Sequence, residues 1–347
     1  MAVKVGILGA TGYTGAELVR LLSRHEQVEL VFLGTQNYGG QTMGEVYPHL
    51  TKYSALTCAE FSPEQLPEAA EVFFVALPHG HAMPIAEACL RQGKKMIDLG
   101  ADFRLADYRE YQQWYEVPHT ARELLPQAVY GLPEIRREAI KKAKLVANPG
   151  CYPTSIILAL APLLRNKLIE PESIIADSKS GVSGAGRGLA LGVHFSEANE
   201  NFKAYGVASH RHTPEIEQEL GLLAGAKLTI SFTPHLLPIT RGILSTVYAK
   251  LAKAISGAAL QQLYQEYYQD EFFVRVLPEG VLPQTKWTTG SNHCDLGLTV
   301  DQRTGRVIVI AAIDNLVKGA AGQAVQNLNL ICGFPEATAL TGPGLYP

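Results

Sequence analysis

The sequence is short of the residues that staple a fold or anchor it in a bilayer. Five cysteines (Cys58, Cys89, Cys151, Cys294 and Cys332) are scattered through 347 residues, and no two share a Cys-x-x-Cys spacing. That spacing excludes a disulfide framework and a zinc ribbon, so no metal centre is expected and a reducing compartment fits. No apolar run approaches the ~18 residues of a membrane-crossing helix. The opening residues read as a short apolar strand rather than a basic secretory leader, so no membrane association is expected and the cytoplasm is the expected location. Long basic runs are also missing, and the formal net charge is −3, which excludes nucleic acid as an expected partner. What remains is ordinary globular composition, 47% hydrophobic and 18% charged, in a chain long enough for two domains.

The first half alternates strands and helices. Val3 to Leu8 is apolar, Gly9-Ala10-Thr11-Gly12-Tyr13-Thr14-Gly15 is a glycine-rich turn, and Ala16 to Leu22 is amphipathic. Strand, glycine turn and helix in succession are the phosphate-binding opening of a dinucleotide fold, here as G-x-x-G-x-x-G. Gly9, Thr11, Gly12, Tyr13, Thr14 and Gly15 are therefore assigned to a cofactor. The second strand, Val28 to Leu33, ends in Gly34-Thr35-Gln36-Asn37 with no carboxylate to meet ribose hydroxyls. Thr35 and Gln36 can donate to a 2′-phosphate, so NADPH/NADP+ is the expected cofactor. Two further strands end in Pro78-His79-Gly80-His81 and Gly100-Ala101-Asp102-Phe103-Arg104. The first loop, starting at Pro78, is expected to line the nicotinamide. Arg104 suits a phosphate or carboxylate, with a salt bridge to Asp102 or Asp107 an equal alternative.

Ala147-Asn148-Pro149-Gly150-Cys151-Tyr152-Pro153-Thr154 joins an apolar strand to an apolar helix. A thiol there faces backbone amides and the positive end of a helix dipole, which favour the nucleophilic thiolate. A buried, inert cysteine is the ordinary alternative. The Asn-Pro-Gly turn and the helix start tip the reading toward a nucleophile, Cys151.

The second half is strand-rich and expected to be mainly antiparallel, with a hairpin turning near Arg303-Thr304-Gly305. It carries a second glycine-rich loop, Ser178 to Gly188, without Walker spacing. Ser180, Ser183 and Arg187 in it suit a small phosphate or acyl phosphate. His210-Arg211-His212-Thr213-Pro214-Glu215 precedes a helix for which Thr213 is the expected N-cap. His210 is the first acid/base candidate and His212 the second. The tail from Asn315 is expected to be helical and to pack on the first domain.

Taken together, these segments, with Ala312-Ile313-Asp314-Asn315-Leu316-Val317-Lys318-Gly319, resemble the N-acetyl-gamma-glutamyl-phosphate reductase family nearly from end to end. The resemblance implies an α/β fold: a Rossmann dinucleotide-binding domain (1–150, completed by 315–347) and an α+β catalytic and dimerisation domain (151–314) with a mainly antiparallel sheet. It implies a homodimer or homotetramer acting on a small-molecule substrate, with NADPH, in arginine biosynthesis. Cys151 with His210 and His212 would be catalytic. Ser180, Gly181 and Asn315 would join the cofactor site, and Arg104, Asn148, Ser183, Arg187 and Glu215 the substrate site. Many members carry Ser-Arg where this chain has Thr35-Gln36. The alternatives are another acyl-phosphate reductase, of the aspartate-semialdehyde dehydrogenase or carrier-linked aminoadipate type, a Cys-His hydrolase or acyltransferase, and a non-catalytic nucleotide sensor.

Overall fold

The computed structural model describes residues 2–346. The chain forms two compact units: one runs to Pro149 and returns for Ala320–Thr341, the other takes Gly150–Gly319 and the residues from Gly342 on. The return expected at Asn315 thus comes at Ala320. Met1 and Pro347, the outer ends of the expected domain, lie outside the described residues.

Seven parallel strands make the first sheet: β1 (Val3–Leu8), β2 (Val28–Gly34), β3 (Cys58–Ala59), β4 (Val72–Val75), β5 (Lys95–Asp98), β6 (Ala128–Tyr130) and β7 (Leu145–Ala147), in the order β3-β2-β1-β4-β5-β7-β6. β4 is buried throughout, as a parallel strand covered on both faces must be. The chain leaves β1 toward β2 on one side and reaches β4 on the other, so their carboxyl ends form the switch point where such sheets bind ligands. Each motif of the first half follows a carboxyl end: Gly9–Gly15 after β1, Pro78–His81 after β4, Gly100–Arg104 after β5 and Asn148 after β7.

The second sheet, in the order β12-β13-β14-β11-β8-β10-β9, comprises β8 (Ile175–Gly181), β9 (Lys203–Ala204), β10 (Ser231–Leu237), β11 (Ile243–Lys250), β12 (Val274–Val276), β13 (Cys294–Asp301) and β14 (Arg306–Ile313). It is mixed: β8–β10 and β12–β13 pair in parallel and the other neighbours antiparallel, including the expected hairpin β13–β14. β8 runs on through Ser180 and Gly181, residues expected in a loop. The helix Cys151–Arg165 packs on β11 and β14. Pro162, inside that helix, has no N–H for the Leu158 carbonyl; the Tyr268 hydroxyl donates to it instead at 2.6 Å. Beneath it, a buried hydroxyl chain joins Ser155 to Ser245 (2.7 Å) and Ser245 to Ser178 (2.8 Å). The tail expected as one helix starts with a π-helical turn, Val317–Ala321, and continues as the helix Gly322–Cys332.

Candidate active site

In the first unit the glycine turn is shaped by close approach. Gly9 has φ +87°, and a Cβ there would run into the Ala76 carbonyl; one on Gly15 would run into Gly9 O. At Gly12 a Cβ would meet nothing nearer than 3.5 Å, which leaves the backbone open in front of the helix Tyr13–Leu22. A bare backbone at a helix N-terminus fits a pyrophosphate. Thr35 is 2% exposed and its hydroxyl lies 3.0 Å from that of Thr11, so it braces the loop from within. Gln36 is exposed at the end of the same strand.

Asp102 sets the loop after β4. Its carboxylate accepts from the amides of Gly80 (2.7 Å) and Ala82 (2.9 Å) and from the Tyr111 hydroxyl (2.7 Å). Pro78 is left exposed ahead of it. Burial, then the charge of Asp102, push the Asp98 carboxyl up to about 7. Arg104 Nε donates to Asn148 O at 2.8 Å and its Nη2 to Leu99 O at 2.9 Å. The Asn148 side chain, expected at the substrate, donates to Ala320 O (3.1 Å) and accepts from Asn327 (3.0 Å), and only 1% of the residue is exposed.

In the second unit Gly150 is the N-cap of the helix Cys151–Arg165, so Cys151 is the first helical residue. Pro153 brings no N–H, and Thr154 N already donates to Gly150 O at 3.0 Å. The amides of Cys151 and Tyr152 therefore carry the positive end of the helix. Cys151 is partly exposed, and its charge helps raise the phenols of Tyr152 and Tyr205, after burial as the main cause. Those two hydroxyls are 3.0 Å apart.

The His-Arg-His motif meets this turn through Glu215. The Gly150 amide donates to Glu215 Oε1 at 2.8 Å, and Glu215 is fully buried. Glu215 was expected at the substrate; its observed work is to tie the start of the helix Thr213–Ala224 to the residue before Cys151. The N-cap of that helix is His212, one residue before the expected Thr213. The His210 and His212 rings are 4.9 Å apart and both lie against Tyr152. They differ chemically. His210 Nδ1 accepts the His212 amide at 3.1 Å, and burial followed by the Arg211 charge lower its pKa to about 4.

That shift has a stability consequence. An unfolded histidine takes up its proton near pH 6.5. Native His210, and His293 likewise held at about 4, do not, so stability is full above 6.5 and is lost as pH falls toward 4. Asp98 acts the other way, keeping a native proton until about pH 7. Melting temperatures between pH 7.5 and 4.5 should fall less steeply for His210→Gln than for wild type; equal slopes would refute the assignment.

The serine loop is also partly internal. Ser180 Oγ donates to Gly181 O (3.1 Å), and Asn315 donates to Ser183 Oγ (2.9 Å) while accepting from the Gly242 amide (2.8 Å). Ser180, Ser183 and Asn315 are buried, so their side chains brace the loop. Arg187 stands exposed just beyond Gly186. Among the described residues no group of three or more His, Cys, Asp or Glu could hold a metal ion, and no helix is long and apolar enough to cross a membrane.

Known proteins extend this geometry. Residues 4–143 match the family model described as semialdehyde dehydrogenase, NAD binding domain, and 151–315 match semialdehyde dehydrogenase, dimerisation domain. Solved aspartate semialdehyde dehydrogenases share the fold. Enzyme II of Vibrio cholerae gives TM-score 0.74 at 18% identity, and the Candida albicans enzyme with NADP gives 0.72 at 16%; each covers 96% of this chain and 99% of the other. Much nearer in sequence are N-acetyl-gamma-glutamyl-phosphate reductases. That of Pelotomaculum thermopropionicum is 69% identical over 100% of both chains, and that of Desulforudis audaxviator 62% identical over 99% of this chain and 100% of its own. The chain belongs to the N-acetyl-gamma-glutamyl-phosphate reductase family.

Proposed function

We infer that this chain reduces N-acetyl-gamma-glutamyl phosphate to N-acetylglutamate 5-semialdehyde and phosphate, with NADPH, in arginine biosynthesis. The observation that carries the reading is the 2.8 Å bond from Gly150 N–H to Glu215, which holds the cysteine turn and the His-Arg-His helix in one site. Cys151 thiolate attacks the acyl carbonyl, phosphate leaves, and a thioester forms on Sγ. The first-turn amides of Cys151 and Tyr152 face the oxyanion of that step. A bound nicotinamide would supply the hydride. The thiohemiacetal that results takes a proton from His212 and collapses to aldehyde and thiol. We assign this proton to His212 because His210 is committed at Nδ1 and held neutral by burial.

Gly9, Thr11, Gly12, Tyr13, Thr14 and Gly15 would hold the cofactor's pyrophosphate, Gln36 its 2′-phosphate, and Pro78 would line the nicotinamide. Ser180, Gly181 and Asn315 are further proposed cofactor residues. Arg187 would take the substrate phosphate, and Arg104 the other anionic end. The expected partner is a second copy of the chain. The face of the second sheet opposite the helix Cys151–Arg165, with Asp177, Lys179, Thr246, Tyr248, Ile308 and Ile310, is only partly covered, and a solution mass of one chain would remove that reading.

The reverse reaction tests the whole. N-Acetylglutamate semialdehyde, phosphate and NADP+ should give NADPH absorbance. NAD+ or aspartate semialdehyde should serve clearly less well in kcat/KM, the ratio that measures discrimination. Better turnover of aspartate semialdehyde would move the chain to a different acyl-phosphate reductase.

A further inference from the structure

Asp314 directly follows β14 and is completely buried. Its Oδ1 accepts the amides of Leu316 (2.8 Å) and Val317 (3.2 Å), and its Oδ2 accepts Gly290 N–H (2.7 Å) and Arg241 Nη1 (3.4 Å). Its carbonyl accepts the Gly319 amide at 2.9 Å, an i→i+5 bond that shapes the π-helical turn Val317–Ala321. Gly319 lies flat against the nucleophile: a Cβ there would come 2.8 Å from Cys151 Cβ and 3.3 Å from its Cα. Between the two sits Lys318, fully buried, with Nζ 5.6 Å from the centre of the Phe273 ring. The turn is thus pinned at Asp314, packed at Lys318 and in contact with the nucleophile at Gly319.

We propose that Asp314 is a positioning residue for Cys151, fixing through Gly319 the place where the thiolate meets the helix amides. The proposal rests on Cys151 being the nucleophile. Its carboxylate serves four donors, so no neutral side chain of the same shape can replace it. Asparagine would turn an amide N–H toward either the Gly290 N–H or the turn amides.

The experiment is the pH dependence of Cys151 alkylation by iodoacetamide, read by mass spectrometry on the full chain without substrate or nucleotide. Asp314→Asn should raise the midpoint and slow labelling at pH 7 by about tenfold, because the thiolate loses its alignment with the helix end. Turnover should fall on the order of 10²-fold, with the KM for NADP+ unchanged. Gly319→Ala perturbs the same contact with Asp314 intact and should shift the same profile. It decides the matter if Asp314→Asn fails to fold. Wild-type alkylation profiles in the folded variants, with only a lower melting temperature, would make Asp314 a structural residue and overturn the proposal. Alkylation needs no acyl phosphate, so a wrong substrate would surface in the reverse assay and leave this result standing.

Discussion

Cys151→Ser should lose at least ~10³-fold in turnover while binding NADP+ as wild type does. A serine hydroxyl at the same helix end stays protonated at neutral pH, whereas helix-end amides and the dipole stabilise a thiolate. Geometry at the turn survives the change, since Gly150 remains the cap and its bond to Glu215 involves neither sulfur nor hydroxyl. Loss of activity would then report chemistry rather than folding. The other cysteines provide an internal control. Cys58, Cys89 and Cys294 are buried, burial pushes Cys89 up to about 12, and Cys58 and Cys332 are raised for the same reason. Iodoacetamide should therefore label Cys151 first, and the acyl-enzyme formed in a single turnover without nucleotide should map to the same peptide. Labelling of Cys332 ahead of an inert Cys151, or turnover within tenfold of wild type in the serine variant, would refute the nucleophile.

Much of this site was legible because its chemistry is local. A glycine-rich turn between an apolar strand and an amphipathic helix has one efficient use, and Gly9 does take the positive φ that such a turn demands. A cysteine between Asn-Pro-Gly and an apolar helix was legible for the same reason. What stayed hidden depends on partners distant in sequence. Two-residue β3 and three-residue β6 carry no period to read. The parallel pairing of β8 with β10 is made by a crossover, and nothing in either strand announces direction. Residue type gave Thr35, Asn148, Glu215 and Asn315 polar groups to offer a ligand, but which partner each would find inside the protein is a property of the assembled fold. Asp314 shows the converse. It follows an apolar strand and looks like a strand-end turn, and only the folded chain brings its carbonyl to the glycine that touches Cys151.

The order of the two histidines is the second large effect, and the proposal puts His212 first where the sequence put His210. His212→Asn should cost on the order of 10²–10⁴-fold in kcat, the usual range for a positioned acid/base. His210→Asn should cost less than about tenfold and show mainly as a lower melting temperature, as partly buried substitutions do. The reasoning starts from proton sites. A neutral imidazole has one acceptor nitrogen. On His210 that nitrogen is Nδ1, occupied by the His212 amide, so its remaining nitrogen carries N–H and cannot take a proton. Gaining one at Nδ1 would break the bond and charge a ring packed against Tyr152, Tyr205 and Phe232, which is why its pKa sits near 4. His212 begins the helix that Glu215 ties to the cysteine turn, so its ring is carried on the element fixed to the nucleophile. The two variants also separate by pH. The acid limb of kcat/KM should persist in His210→Asn and vanish in His212→Asn, because that limb reports the acid/base of the free enzyme. A crippled His210→Asn beside a mild His212→Asn would restore the order expected from sequence and assign His210 the proton.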